Sequence, residues 1–259
     1  MIREKLMEKN IGRSGTFRWR GHEISRIEGL SDAVFAFAIT LLVVSLEVPK
    51  TFAELAETMH GFGAFLISFL LLFAVWFNQY KFFRRYGLQD TRTIMLNAAL
   101  LFVALFYVYP LKFLFSFLIN ELTGGHGEVR LANGNVVAMI ESNDQMASLM
   151  IIFNLGYLAV FAVFVLLFWH AYSKREALEL NELERFDTRE SIQESALNCG
   201  IAILSLLIVV VGGVTRAGLA GMAYMLTPVV MTLNGMMMGK RRRKLEERQS
   251  GQGALDAPV

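Results

Sequence analysis

Residues 26–49 read R-I-E-G-L-S-D-A-V-F-A-F-A-I-T-L-L-V-V-S-L-E-V-P, a long apolar run that begins with Arg26 and carries Asp32 inside it. An ionisable side chain at bilayer depth costs roughly 2.5–3.5 kcal/mol on insertion scales, so it is kept where it meets a partner or water. A chain whose first apolar helix holds such a residue is constrained to bury that helix against others or to line an aqueous path with it.

The rest of the chain agrees with a membrane setting. Of 259 residues 54% are apolar, above the soluble range, and they cluster in long runs. Six stretches have the length and apolarity of a bilayer span: 24–46, 61–83, 93–118, 146–172, 196–214 and 219–238. Twenty-one of the 25 Lys and Arg residues fall up to and including Arg26, between Lys81 and Arg92, in the fourth connection, or after the last span. By the positive-inside rule this predicts an all-α, six-helix integral membrane protein with both termini in the cytoplasm. Residues 1–23 are then a basic cytoplasmic N-terminus, 24–238 the transmembrane domain, and 239–259 a basic tail expected to be disordered from Gln249 onward. The first 20 residues lack the apolar core of a signal peptide, so the first span is expected to direct insertion.

Several chemistries find no footing. One cysteine, Cys199, gives neither an intrachain disulfide nor a Cys-based zinc site. The four histidines are scattered without metal-ligand spacing, and no nucleotide-binding motif or nucleophile triad is present. An enzyme is not expected, nor a cofactor. The K-R-R-R-K run at 240–244 directly follows a span, which makes it a topology signal with affinity for anionic lipid rather than a nucleic-acid site. Segment 120–144 is polar and Gly-rich and reads as an outer loop or hairpin. Segment 173–194, with Leu180 and Leu183, reads as a short helix continuing from the fourth span. Asn97, Pro110 and Lys112 are unusual in the third span but receive no site role.

On a helical projection of the first span, Leu30, Ala33, Phe37, Thr40, Val44 and Glu47 are spaced 3, 4, 3, 4, 3 and share one stripe. Asp32 lies about 140° from Phe37, at 100° per residue, and is expected to face a neighbouring helix. From the residues alone two accounts stand side by side. The stripe is a packing seam, Asp32 a structural carboxylate and Arg26 an interfacial cation; or the stripe lines a path for ions.

The segment Arg26-Ile27-Glu28-Gly29-Leu30-Ser31-Asp32 resembles the R-x-x-x-F-S-D signature of the transmembrane protein 175 family, the endolysosomal potassium channels and their prokaryotic relatives. W-F-N-Q-Y-K-F-F-R-R, Trp76 to Arg85, is similar to the motif that ends the second helix in prokaryotic members. The resemblance implies a potassium-permeable, modestly selective cation channel without a carbonyl-lined filter loop, in a bacterial or archaeal plasma membrane. It implies that the first helix lines the pore, with the hydrophobic constriction at Phe37 and a selectivity contribution from Thr40; Ala33, Val44 and Glu47 share their stripe. It implies a polar network of Arg26, Ser31 and Asp32 against the second helix, with Asn78, Gln79 and Tyr80 in the second motif. One motif copy per chain implies a homotetramer, whose partners are itself, membrane lipid and monovalent cations.

This chain departs from the pattern at Leu30 in place of phenylalanine, at Phe37 in place of isoleucine or leucine, and at Gln79 and Tyr80 in place of two histidines. The other readings are a proton-coupled secondary transporter using Arg26 and Asp32 as a relay, and a non-conducting scaffold descended from a channel.

Overall fold

A computed structural model describes residues 13–14, 17–21, 23–44, 50–125, 127–130, 135–213 and 216–255. Its elements in chain order are β1 (Arg13–Ser14), β2 (Phe17–Arg18), α1 (Arg26–Val44), α2 (Phe52–His60), α3 (Phe62–Tyr86), α4 (Thr91–Leu122), β3 (Glu128–Arg130), β4 (Val136–Ala138), α5 (Asn143–Ser173), α6 (Glu182–Gly212), α7 (Ala217–Met222), a 3₁₀ turn (Ala223–Met225) and α8 (Leu226–Leu255). Among the described residues five helical stretches are long and apolar enough to cross a membrane: α3, α4, α5, α6 and Ala217–Arg248. α1 occupies the place of the first expected span.

Local signals set most boundaries. Ser25 and Glu28 form a reciprocal capping box at the start of α1: the Glu28 carboxylate accepts from Ser25 N–H at 2.7 Å, and Glu28 N–H donates to Ser25 Oγ at 3.2 Å. α3 stops at Gly87, whose φ of 59° closes the last turn by donating to the Phe83 carbonyl at 2.8 Å. Pro228 has no N–H to give the Tyr224 carbonyl, and the 3₁₀ turn that separates α7 from α8 lies just ahead of it.

Segment 173–194 differs from its expected form. α5 ends at Ser173, and a new helix, α6, starts behind Asn181. Asn181 Oδ1 accepts from Glu184 N–H at 2.8 Å while the Glu184 carboxylate accepts from Asn181 N–H at 3.1 Å. This second capping box makes the stretch the beginning of the fifth span rather than the end of the fourth. The segment between α4 and α5 folds in part as a small antiparallel hairpin, β3 with β4. α8 carries the helix on through the basic run to Leu255.

α1 packs on α3 and α4 through Phe35, Ala38 and Leu42, which share a core with Leu72, Leu101, Ala104 and Val108. α5 and α6 share the longest interface. Between α4 and α5 the Tyr107 ring lies over Gly156, so close that a Cβ there would clash with the ring, and the Tyr107 hydroxyl donates to the Phe153 carbonyl at 2.9 Å.

The Lys- and Arg-rich segments meet at one end of the bundle. There Phe17 is fully buried with Phe82, Phe83, Tyr86 and Phe168. Arg20 N–H and Gly21 N–H donate to the Arg84 carbonyl at the end of α3. The Arg20 guanidinium pairs with Glu184 at 2.6 Å, and Glu184 is 1% exposed. Arg242 pairs with Asp187 at 2.9 Å, which ties α8 to α6. Asp90 accepts from Thr93 at 2.8 Å and lies 2.8 Å from His170 and 3.5 Å from Lys174. Burial alone would raise the Asp90 carboxyl; the hydrogen bonds from Thr93 and His170, with the charges of His170 and Lys174, outweigh it and bring it to about 2.

Two outcomes follow for stability. Because Glu184 serves both the Asn181 cap and Arg20, Glu184→Ala removes the counter-ion of a guanidinium that is only 11% exposed and is expected to cost about 3–5 kcal/mol, read by denaturant unfolding in mixed micelles. The depressed Asp90 carboxyl contributes stability that is complete above the ordinary carboxylate range near ~4. It is lost as pH falls through about 2. The difference in melting temperature between the wild type and Asp90→Asn is therefore expected to be constant above that range and to shrink on acidification through it.

Candidate functional site

α1 has two unlike faces. Ser31, Phe35, Ala38 and Leu42, spaced 4, 3, 4, are buried. Leu30, Ala33, Phe37 and Thr40 form an exposed stripe, with Leu30 at 61% and Phe37 at 58%. Val44 is the last described residue of α1, and Glu47 lies outside the described residues.

The buried face is pinned by a chain of side-chain hydrogen bonds through three helices. Gln79 on α3 donates its Nε2 to Asn97 Oδ1 at 2.6 Å, Asn97 on α4 donates its Nδ2 to Ser31 Oγ at 2.9 Å, and Ser31 donates to the Ile27 carbonyl at 2.8 Å. Ser31 is 1% exposed and Gln79 and Asn97 are 2% exposed, so each depends on its partners for satisfaction. Asp32 stands at the edge of this face and accepts from the Trp76 indole N–H of α3 at 2.8 Å. It thus meets the neighbouring helix that the projection assigned to it. At the far end of α1, Lys112 Nζ donates to the Leu42 carbonyl at 3.3 Å, placing a cation at a helix C-terminus.

The other motif residues do not all join this chain. Among the described residues Arg26 makes no hydrogen bond or ion pair and is exposed. Tyr80 stacks on Trp76 at 5.7 Å and lies under Arg84 at 5.4 Å, away from Ser31. Asn78 lines two cavities described below. Two members of the network, Asn97 and Trp76, carried no role in the sequence. A lone carboxamide in an apolar run was the available signal for Asn97; Trp76 stood inside the second motif without a partner to claim it.

On the exposed stripe Thr40 donates its hydroxyl proton to the Ala36 carbonyl at 2.9 Å. The proton is committed to the backbone, so what the hydroxyl presents outward is its lone pairs, an arrangement that suits a cation. One turn below, Phe37 presents an apolar ring.

A bundle of long apolar helices, most of its Lys and Arg residues gathered at one end and its first helix pinned by a buried polar chain, defines a polytopic α-helical membrane protein. A family model described as the endosomal/lysosomal potassium channel TMEM175 matches residues 26–107. A potassium channel of Marivirga tractuosa is 40% identical over 253 residues, 93% of this chain and 98% of that one. The chain belongs to the TMEM175 family, whose members are channels rather than enzymes. A potassium channel of Streptomyces collinus is 31% identical over 103 residues, 38% of this chain and 50% of its own. Among solved structures, a variant of the potassium channel MtTMEM175, crystallised with a Nanobody-MBP fusion protein, superposes with a TM-score of 0.76 at 40% identity, covering 89% of this chain and 100% of that one. A TMEM175 homologue from Chamaesiphon minutus superposes with a TM-score of 0.51 at 21% identity, over 81% of this chain and 96% of its own, which supports the fold.

The polar chain makes a sharp energetic prediction. Asn97→Leu leaves the buried Gln79 amide without its acceptor, while Ser31 keeps its bond to the Ile27 carbonyl, and is expected to destabilise by about 1–3 kcal/mol. Adding Gln79→Leu removes the stranded amide, so the double variant is expected to recover part of that loss in a double-mutant unfolding cycle.

Proposed function

We propose that this protein is a potassium-permeable, modestly selective cation channel. Four copies surround a central axis, and the exposed stripe of α1 lines the path. The observation that carries the reading is the division of α1 into a face pinned by Ser31, Asn97 and Gln79 and an opposite face left bare from Leu30 to Thr40. A helix held by only one face inside its own subunit has the other free to meet copies of itself. The naming of the M. tractuosa relative as a potassium channel supports the same reading.

Phe37 forms the hydrophobic constriction, and a ring of phenyl groups gates by excluding water. Thr40 supplies oxygen to a partly dehydrated ion just beyond it, and Ala33 and Val44 continue the wall, with Glu47 at the outer mouth. Hydroxyls alone replace little of a hydration shell, which accounts for modest discrimination between potassium and sodium. The Lys- and Arg-rich end, where residues 17–21 and α8 both lie, faces the cytoplasm of a bacterial cell, so both termini are inside. Asp32 with Trp76, and Ser31 with Asn97 and Gln79, set the rotation of α1 from that end.

The test is potassium and sodium flux into liposomes that contain the full chain. Phe37→Ala widens the collar and lowers the barrier to wetting. Each 1.4 kcal/mol removed is about tenfold in rate, and an increase of at least that order in potassium flux is expected. Thr40→Val keeps the shape but removes the oxygen, and the potassium-to-sodium flux ratio is expected to fall. Unchanged flux in Phe37→Ala, with the protein folded and tetrameric by native mass measurement, favours a non-conducting scaffold instead.

A further inference from the structure

A polar cavity of about 580 Å³ lies inside the subunit at the basic end, between α3, α5, α6 and α8, away from the exposed stripe of α1. Its wall carries charges of both signs. Asp187 and Arg242 satisfy each other at 2.9 Å, and Arg242 also reaches Glu246 at 2.6 Å. Lys81 and Arg85 line it from α3 and Glu190 and Glu194 from α6; Lys81 also lies over the Phe77 ring at 5.1 Å and Arg85 over the Phe17 ring at 5.0 Å. Among the described residues none of these four charged groups forms an ion pair. Arg85 reaches Ser191 Oγ only at 3.4 Å, and its Nε is buried without an acceptor.

A second cavity, of about 130 Å³, adjoins the first and shares Asn78 and Phe161 with it. Its wall is almost wholly apolar, including Leu72, Val75, Ala104 and Phe164. Asn78 and Phe161 are thus the common wall between a charged chamber at the bundle's end and an apolar one toward its middle.

The occupant has to match both chambers. A lone cation in the charged chamber would meet Lys81 and Arg85; a lone anion would meet Glu190 and Glu194. A molecule that carries both charges a short distance apart, on an apolar tail, satisfies all four side chains and fills the apolar chamber. We propose that this pair of chambers binds a phospholipid with a primary-amine zwitterionic headgroup, of the phosphatidylethanolamine class. Its phosphate lies against Lys81 and Arg85, its ammonium against Glu190 and Glu194, and one acyl chain enters past Asn78 and Phe161. The site is independent of conduction and stands whether or not ions pass along α1.

Native mass spectrometry of the delipidated full chain, titrated with phosphatidylethanolamine, phosphatidylcholine or phosphatidylglycerol of identical acyl chains, tests this. Phosphatidylcholine keeps the positive charge but has no N–H to donate, and phosphatidylglycerol has no positive charge at all. Charge-assisted hydrogen bonds of ~1.5–3 kcal/mol give roughly tenfold or greater discrimination, so phosphatidylethanolamine is expected to be retained at least that much better than either.

The double substitution Glu190→Gln with Glu194→Gln is expected to abolish that preference while leaving phosphatidylglycerol retention intact, which also reports that the variant is folded. Lys81→Gln is expected to weaken all three lipids. Ala74→Trp, which fills the apolar chamber without touching a charge, is expected to weaken them too. Glycerophosphoethanolamine, the headgroup without acyl chains, is expected not to displace bound lipid at equal concentration. Equal retention of the three lipids, an unchanged preference in the double Glu variant, or displacement by the free headgroup overturns the proposal.

Discussion

Inside a bilayer two apolar helices gain little by meeting, because lipid tails are as apolar as leucine. Something other than hydrophobicity has to fix how α1 is rotated, and here it is the carboxamide of Asn97. It takes a hydrogen bond from Gln79 and gives one to Ser31, so a single side chain on α4 joins α1, α3 and α4. Everything about the exposed stripe depends on that rotation. Turn α1 by half a revolution and Phe37 points into α3 and α4 instead of away from them.

At the basic end the same logic is applied with charge. Arg20 closes on Glu184, Arg242 on Asp187, and the Asp90 carboxylate gathers Thr93, His170 and Lys174. These contacts tie chain segments that are far apart in sequence: the stretch before α1, the connection before α4, the start of α6 and the end of α8. Phe17 and Tyr86 then fill the space among them. The segment that enters the membrane first is thereby anchored to the segment that leaves it last through α6, which touches both.

Hydropathy and charge made the spans and the clustering of Lys and Arg legible, since both are properties of single segments. The stripe of α1 and the outward placing of Asp32 toward a neighbour were legible for the same reason, as a helical projection needs no partner. What the sequence did not reveal are pairings between segments. Asn97 was visible as an oddity in α4 but nothing in its own helix says that Ser31 and Gln79 lie opposite. Trp76 was read as part of a motif, while its hydrogen bond to Asp32 depends on the relative height of α1 and α3. The start of α6 was misjudged because the acid–base alternation of 173–194 suits a continuing helix. The capping box at Asn181 and Glu184 is a local signal that settles it, and it was available in the sequence as N-x-x-E.

The contact between Gly156 and Tyr107 has a consequence for the shape of the interior. Tyr107 also walls the apolar cavity between α4 and α5. Its ring stays where it is because nothing projects from position 156. Even a single methyl at that position would evict the aromatic group, prise the two helices apart and remould the hollow on the ring's other side. The volume of an internal space is thus governed by an atom that is absent on the opposite side of its wall.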